Sequence, residues 1–129
     1  MTLSHLSLKS LLCGALFALI LLAGLFLHKT GRPFPSLLFN LHKMATVVWI
    51  ILSIHLLVKV YQLHPPGSLM IVSTGISAVA LLTLLVSGGM MSLDKIPELM
   101  LHAHRIATWA LLASYPLLLV RILSLNHSL

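Results

Sequence analysis

Four long apolar runs make up most of this chain, separated by short polar breaks that carry proline and glycine. Within the runs the apolar residues do not alternate strictly with polar ones, which points to helices over strands. Each run is close to the roughly 20 residues that cross a bilayer as a helix. The first helix is predicted over residues about 10–28, behind a more polar lead from Met1 to Lys9, with an unbroken apolar stretch from Leu11 to Leu27. It is read as a retained helix, a cleaved signal peptide being the alternative. The segment His28 to Pro35, HKTGRPFP, then breaks it. A second helix is predicted over about 36–61, opened by Pro35 and Ser36, where a missing amide costs nothing. The turn QLHPPGS, Gln62 to Ser68, has adjacent prolines and a glycine and stops it. The third is predicted over about 69–91 and the fourth over about 98–123, with SLDKIP between them. Glu98 stands in the first turn of the fourth, where the helix dipole favours a carboxylate. Pro116 is expected to kink it.

Composition turns a helical reading into a membrane one. The chain has 129 residues, of which 59% are hydrophobic and 8% charged, and a mean hydropathy of +1.08. A soluble domain is about a quarter charged, so this chain belongs in a lipid bilayer, where helices satisfy their own backbone. The expected fold is an all-α integral membrane four-helix bundle, up-down-up-down, forming a single transmembrane domain over the whole chain. The formal charge of +6 could suggest nucleic acid, but the eight Lys and Arg are scattered at segment ends and form no basic face. They suit lipid headgroups instead. Lys29, Arg32, Lys43, Lys95 and Arg105 fall on one side, against Lys9, Lys59 and Arg121 on the other. The positive-inside rule places the first side in the cytoplasm. The lone Cys13 excludes an intrachain disulfide, and the absence of Cys-x-x-Cys-His excludes a covalently attached haem.

The chain repeats itself. Sliding it by 62 residues aligns Pro35 with Pro97, Leu37 with Leu99, His42 with His104, Lys43 with Arg105, and Ala45-Thr46 with Ala107-Thr108. The same offset carries Leu56-Leu57-Val58-Lys59 onto Leu118-Leu119-Val120-Arg121. The leucines weigh little, whereas a proline, a histidine, an Ala-Thr pair and two cations at one offset weigh more. In the preceding helices Gly24 and Gly88 correspond on an offset two residues longer. The halves, about 10–61 and 69–123, read as two helical hairpins related by a pseudo-twofold axis along the membrane normal.

Eight histidines are the anomaly in so apolar a chain. His5, His64 and His127 sit near segment ends and read as interfacial. His42 and His104 stand at matching depths in the second and fourth helices. A twofold axis would present them to one point from opposite sides, as the two axial imidazoles of a haem iron. The bland account is a pair of interfacial histidines. Thr46, Trp49 and Ser53 share the face of His42, and Thr108 and Tyr115 that of His104, as polar groups facing a bundle interior would. Hydroxyls there could orient an imidazole through its second nitrogen or bind a propionate. Lys43 and Arg105 are either propionate partners or snorkelling anchors. Gly88 belongs to a run of small residues in the third helix that admits a neighbouring helix or a flat cofactor. His102, two residues from His104, points the other way and replaces it only if the facing is inverted; the first repeat has Asn40 in its place. His55 lies well inside the span and is matched by Leu117. It serves either a second haem site or a hydrogen bond to a hydroxyl such as Ser73 or Thr74.

The doublets Ala23-Gly24 and Ser87-Gly88, followed by Leu41-His42-Lys43 and His104-Arg105, with His55 farther on, resemble small bacterial b-type cytochromes. The nearest families are the flavinylation-associated cytochromes and the bacterial cytochrome b-like membrane proteins. His-Arg-x-x-Thr also resembles, more faintly, the succinate dehydrogenase anchor subunits. The resemblance implies noncovalent haem b in a bacterial inner membrane and electron transfer between quinol or a flavoprotein and an acceptor. It also implies other redox subunits and a bound quinone as partners. This chain departs from the pattern: the His42 to His55 interval is one residue short and the fourth helix lacks a second histidine. One haem is therefore expected over two. With no soluble domain to hold a substrate, the chain reads as an electron-transfer subunit, not a stand-alone enzyme. The competing class is a noncatalytic small membrane subunit that stabilises a larger respiratory or photosynthetic complex. A histidine-lined metal or proton pathway is disfavoured, because Asp94 and Glu98 lie together in one loop region and cannot form a relay through the bilayer.

Overall fold

The four apolar runs are all helical in the computed structural model, which describes residues 3–93 and 97–127, with side chains over 7–93 and 97–124. The helices are α1 (Leu3–Thr30), α2 (Ser36–Leu63), α3 (Ser68–Met90) and α4 (Glu98–His127). Each is long and apolar enough to cross a membrane. The protein is therefore an all-α integral membrane protein. Asp94 and Lys95, and the side chains of His5 and His127, lie outside the described residues.

Three helices run farther than the hydrophobic pattern predicts. α1 takes in most of the polar lead and continues through His28 to Thr30, α2 reaches Leu63 and α4 passes Leu123. Hydropathy marks the stretch that lipid can hold, whereas a helix stops where its backbone is broken. Gly31, with φ at 69°, supplies that break after α1. His64 supplies it after α2, with φ −135° and ψ 130°, the extended conformation that a following proline enforces. α4 stays helical through Pro116, whose ring nitrogen cannot donate to the carbonyl one turn earlier.

The chain divides into two compact units, α1 with α2, and α3 with α4 through Leu125. They coincide with the halves of the sequence repeat. Each unit is an antiparallel hairpin. In the first, Cys13 and Phe17 meet Trp49 while Gly24 meets His42, so positions rise along α1 as they fall along α2. In the second, Ser77 meets Ser114 and Ser87 meets His104.

The buried seams carry the polar groups. On α1 the buried positions are Ser10, Cys13, Phe17, Ile20 and Leu27; on α3 they are Met70, Ser73, Ser77, Ala80 and Ser87, with the same spacing. That three-and-four rhythm is the seam of packed helices. The exposed faces hold large apolar residues such as Leu19, Leu22, Val79 and Leu82. Lipid tails are as apolar as leucine, so helices associate through close packing and polar contacts. Small and polar residues therefore go inside.

Candidate functional site

The first half-site lies in the α1–α2 hairpin. Trp49, 1% exposed, fixes the register of the two helices. Its Nε1–H donates to the Cys13 carbonyl at 3.1 Å. Its ring stacks on Phe17, with centroids 5.1 Å apart and planes 24° from parallel. Two turns earlier on α2, half-buried His42 lies against the bare backbone of Gly24. A Cβ at position 24 would stand 3.3 Å from His42 Cε1 and 3.9 Å from Nε2. The imidazole thus occupies space that any side chain on α1 would contest. His42 Nδ1 is buried without a completed hydrogen bond, although the Ile20 backbone carbonyl is the acceptor it faces. An open apolar hollow of about 190 Å³ adjoins it, lined by Ile20 and Ala23 from α1 and by Leu38, His42 and Ala45 from α2.

The second half-site repeats this arrangement in the α3–α4 hairpin, with one addition. Half-buried His104 lies against Gly88, where a Cβ would stand 3.7 Å from Cε1. Its Nδ1 is 2.9 Å from Ser87 Oγ. The Ser87 hydroxyl donates to the Thr83 carbonyl at 2.6 Å. A carbonyl can only accept and a hydroxyl has one proton to give. The Leu84 carbonyl is the longer of the two carbonyl contacts Ser87 makes, at 3.4 Å. With its proton on the Thr83 carbonyl, Ser87 Oγ is left to accept from His104 Nδ1–H, the tautomer that puts the ring's lone pair on Nε2. Farther along the seam Ser77 and Ser114 share a hydrogen bond of 2.8 Å. A wider apolar groove of about 600 Å³ runs along this hairpin among small residues, including Gly75, Ala80, Ala103 and Ala107.

The structure sorts the residues singled out from sequence. Gly88 does lie against a histidine, and so does its counterpart Gly24. Trp49 and Tyr115 are buried and Ser53 is half-buried on the histidine faces, as expected. Thr46 and Thr108 behave alike but differently from the expectation: each donates to its own histidine's backbone carbonyl, both at 2.8 Å. The hydroxyl that meets an imidazole comes from the neighbouring helix. Lys43 Nζ lies 4.3 Å from the centre of the Phe39 ring, while Arg105 is exposed. His102 is exposed and His104 is not, so the facing favours His104. His55 is exposed, and the Ser73 and Thr74 protons go to the Leu69 and Met70 carbonyls of their own helix.

From the sequence Ser87 enters as one of the small residues of the third helix and as part of the Ser87-Gly88 doublet, without a role for its hydroxyl. The signal for that role is the one difference between the doublets, Ser87 where the other half has Ala23. No protein-family model, curated protein or solved structure matches this chain.

Proposed function

We propose that this protein is a membrane-embedded b-type cytochrome, an electron-transfer subunit in which His42 and His104 would hold the iron of one haem b. The observation that carries this reading is the glycine–histidine contact made once in each hairpin, Gly24 with His42 and Gly88 with His104. The pairing of the two histidines at one iron rests on the sequence repeat. The residues suit the group. Both rings lie against bare glycine backbone, so the space a side chain would take on the facing helix is given to the imidazole. Ser87 keeps the His104 lone pair on Nε2, the nitrogen that would meet a metal.

When bound, haem iron supplies reversible one-electron transfer. The chain's own part is to hold the imidazoles neutral and oriented. Lys43 and Arg105, each one residue after a histidine, bring positive charge that suits haem propionates. The surrounding lipid-facing leucines and valines exclude water. Redox partners would be other membrane subunits, with quinol or a flavoprotein as donor, in a bacterial inner membrane with the His42 and His104 end towards the cytoplasm. His55 is left outside this site; a second haem would need a ligand from another chain.

The test is optical. Protein purified from haem-replete cells and reduced with dithionite should show the sharp α band of low-spin bis-imidazole haem. His42→Ala and His104→Ala should each remove it, whereas His55→Ala should leave it. A protein that binds no haem in any preparation would sink the reading. The groove of small residues on the α3–α4 hairpin favours the second reading, a noncatalytic subunit packing against another transmembrane helix. A colourless protein that co-purifies with a larger complex would support that alternative.

A further inference from the structure

We propose that Ser87 is a positioning residue that fixes His104 as an Nδ1–H imidazole, and that its absence opposite His42 makes the two half-sites unequal. The tautomer follows from the chain alone; only its consequence for haem rests on the cytochrome reading.

Burial and two contacts carry the argument. Ser87 is 1% exposed, so bulk water does not compete for its hydroxyl. Its single proton goes to the Thr83 carbonyl at 2.6 Å, a back-bond to the residue four positions earlier. Its oxygen is then an acceptor, 2.9 Å from His104 Nδ1. The links polarise in one direction, from imidazole to hydroxyl to carbonyl, and each strengthens the next. Such a bond to the second ring nitrogen sets ring orientation and raises the basicity of the other. The equivalent of Ser87 in the first hairpin is Ala23, which lines the same hollow as His42 but has no hydroxyl to offer. His42 Nδ1 is correspondingly the one buried side-chain polar atom without a completed hydrogen bond among the described residues. The repeat thus supplies two imidazoles, one held by a buried hydroxyl and one that faces only the Ile20 backbone carbonyl without a completed bond. His104 is the firmly held ligand and His42 the weaker one.

The experiment reads the tautomer before any haem is added. Full-length protein labelled with 15N-histidine is prepared haem-free in detergent micelles, and the His104 signals are assigned by their loss in His104→Ala. Nitrogen shifts should show a protonated Nδ1 and an unprotonated Nε2, and Ser87→Ala should abolish that pattern. His104 found with its proton on Nε2, or a pattern unchanged in Ser87→Ala, would overturn the proposal. Titration with haem then reads the consequence. Ser87→Ala should bind haem about 10–100-fold more weakly, as losses of such orienting bonds do. Ala23→Ser, which offers His42 the missing partner, should bind more tightly than the natural chain. Equal haem affinity in Ser87→Ala and the natural chain would overturn the claim of unequal halves while leaving the cytochrome reading intact. The expected tautomer in a protein that takes up no haem would sustain Ser87's role and remove the cytochrome reading instead.

Discussion

The two glycines that face the histidines should respond differently to the same substitution. Replacing a helical glycine by alanine removes backbone freedom from the unfolded chain and stabilises by about 0.5–1 kcal/mol. At position 88 the new Cβ would stand 3.7 Å from His104 Cε1, within the favourable range of about 3.5–4.0 Å for carbon contacts. Nothing opposes the gain, so Gly88→Ala should be about 0.5–1 kcal/mol more stable. At position 24 the Cβ would stand 3.3 Å from His42 Cε1, closer than that range allows without the ring giving way. The helices cannot simply part, because Trp49 ties α2 to α1 through its bond to Cys13 and its stack on Phe17. Crowding of this kind costs about 1–3 kcal/mol. Gly24→Ala should therefore range from neutral to about 2.5 kcal/mol less stable, and fall about 1–3 kcal/mol below Gly88→Ala. Reversible unfolding by SDS titration in mixed micelles, followed by circular dichroism, measures both. Equal effects, or Gly88→Ala being the more damaging, would refute the claim that His42 lies closer to its glycine backbone than His104 does to its own.

Two further outcomes follow from the seams and the loops. The Ser77–Ser114 hydrogen bond should appear in a double-mutant cycle to alanine as a coupling of about 0.6 kcal/mol, up to about 1.7. Strictly additive losses would mean the pair contributes nothing. The charge distribution predicts that an impermeant maleimide applied to intact spheroplasts labels Ser68→Cys and spares Ser36→Cys. Cys13 is buried and should give little background; the opposite labelling would reverse the orientation.

Much of the candidate site was legible in the sequence because a repeat compares the chain with itself. His42 with His104 and Gly24 with Gly88 stand out at nearly the same offset, although no single helix face is marked by hydrophobicity. The hairpin boundaries were also legible, since Pro35, Pro65, Pro66 and Pro97 break helices whatever surrounds them. The helix ends were less so. Polar residues such as Lys29 and Gln62 end the run that lipid favours without ending the backbone hydrogen bonding. The partners of the hydroxyls were less legible for a related reason. Thr46 and Thr108 share a face with their histidines, yet a threonine one turn on reaches the backbone carbonyl before it can reach a ring.

The sequence by itself determined that this is a four-span helical membrane protein made of two related halves, each with a histidine near the start of its second helix. Those conclusions depend on composition, breakers and offset, which are properties of the chain alone. Only the tertiary structure decided which neighbour each histidine meets. In lipid the hydrophobic effect does not choose a helix face, so the seam is set by close approach and hydrogen bonding across helices. Those contacts seat both rings on glycine, and they give a hydroxyl partner to His104 that the Ala23 position does not offer His42.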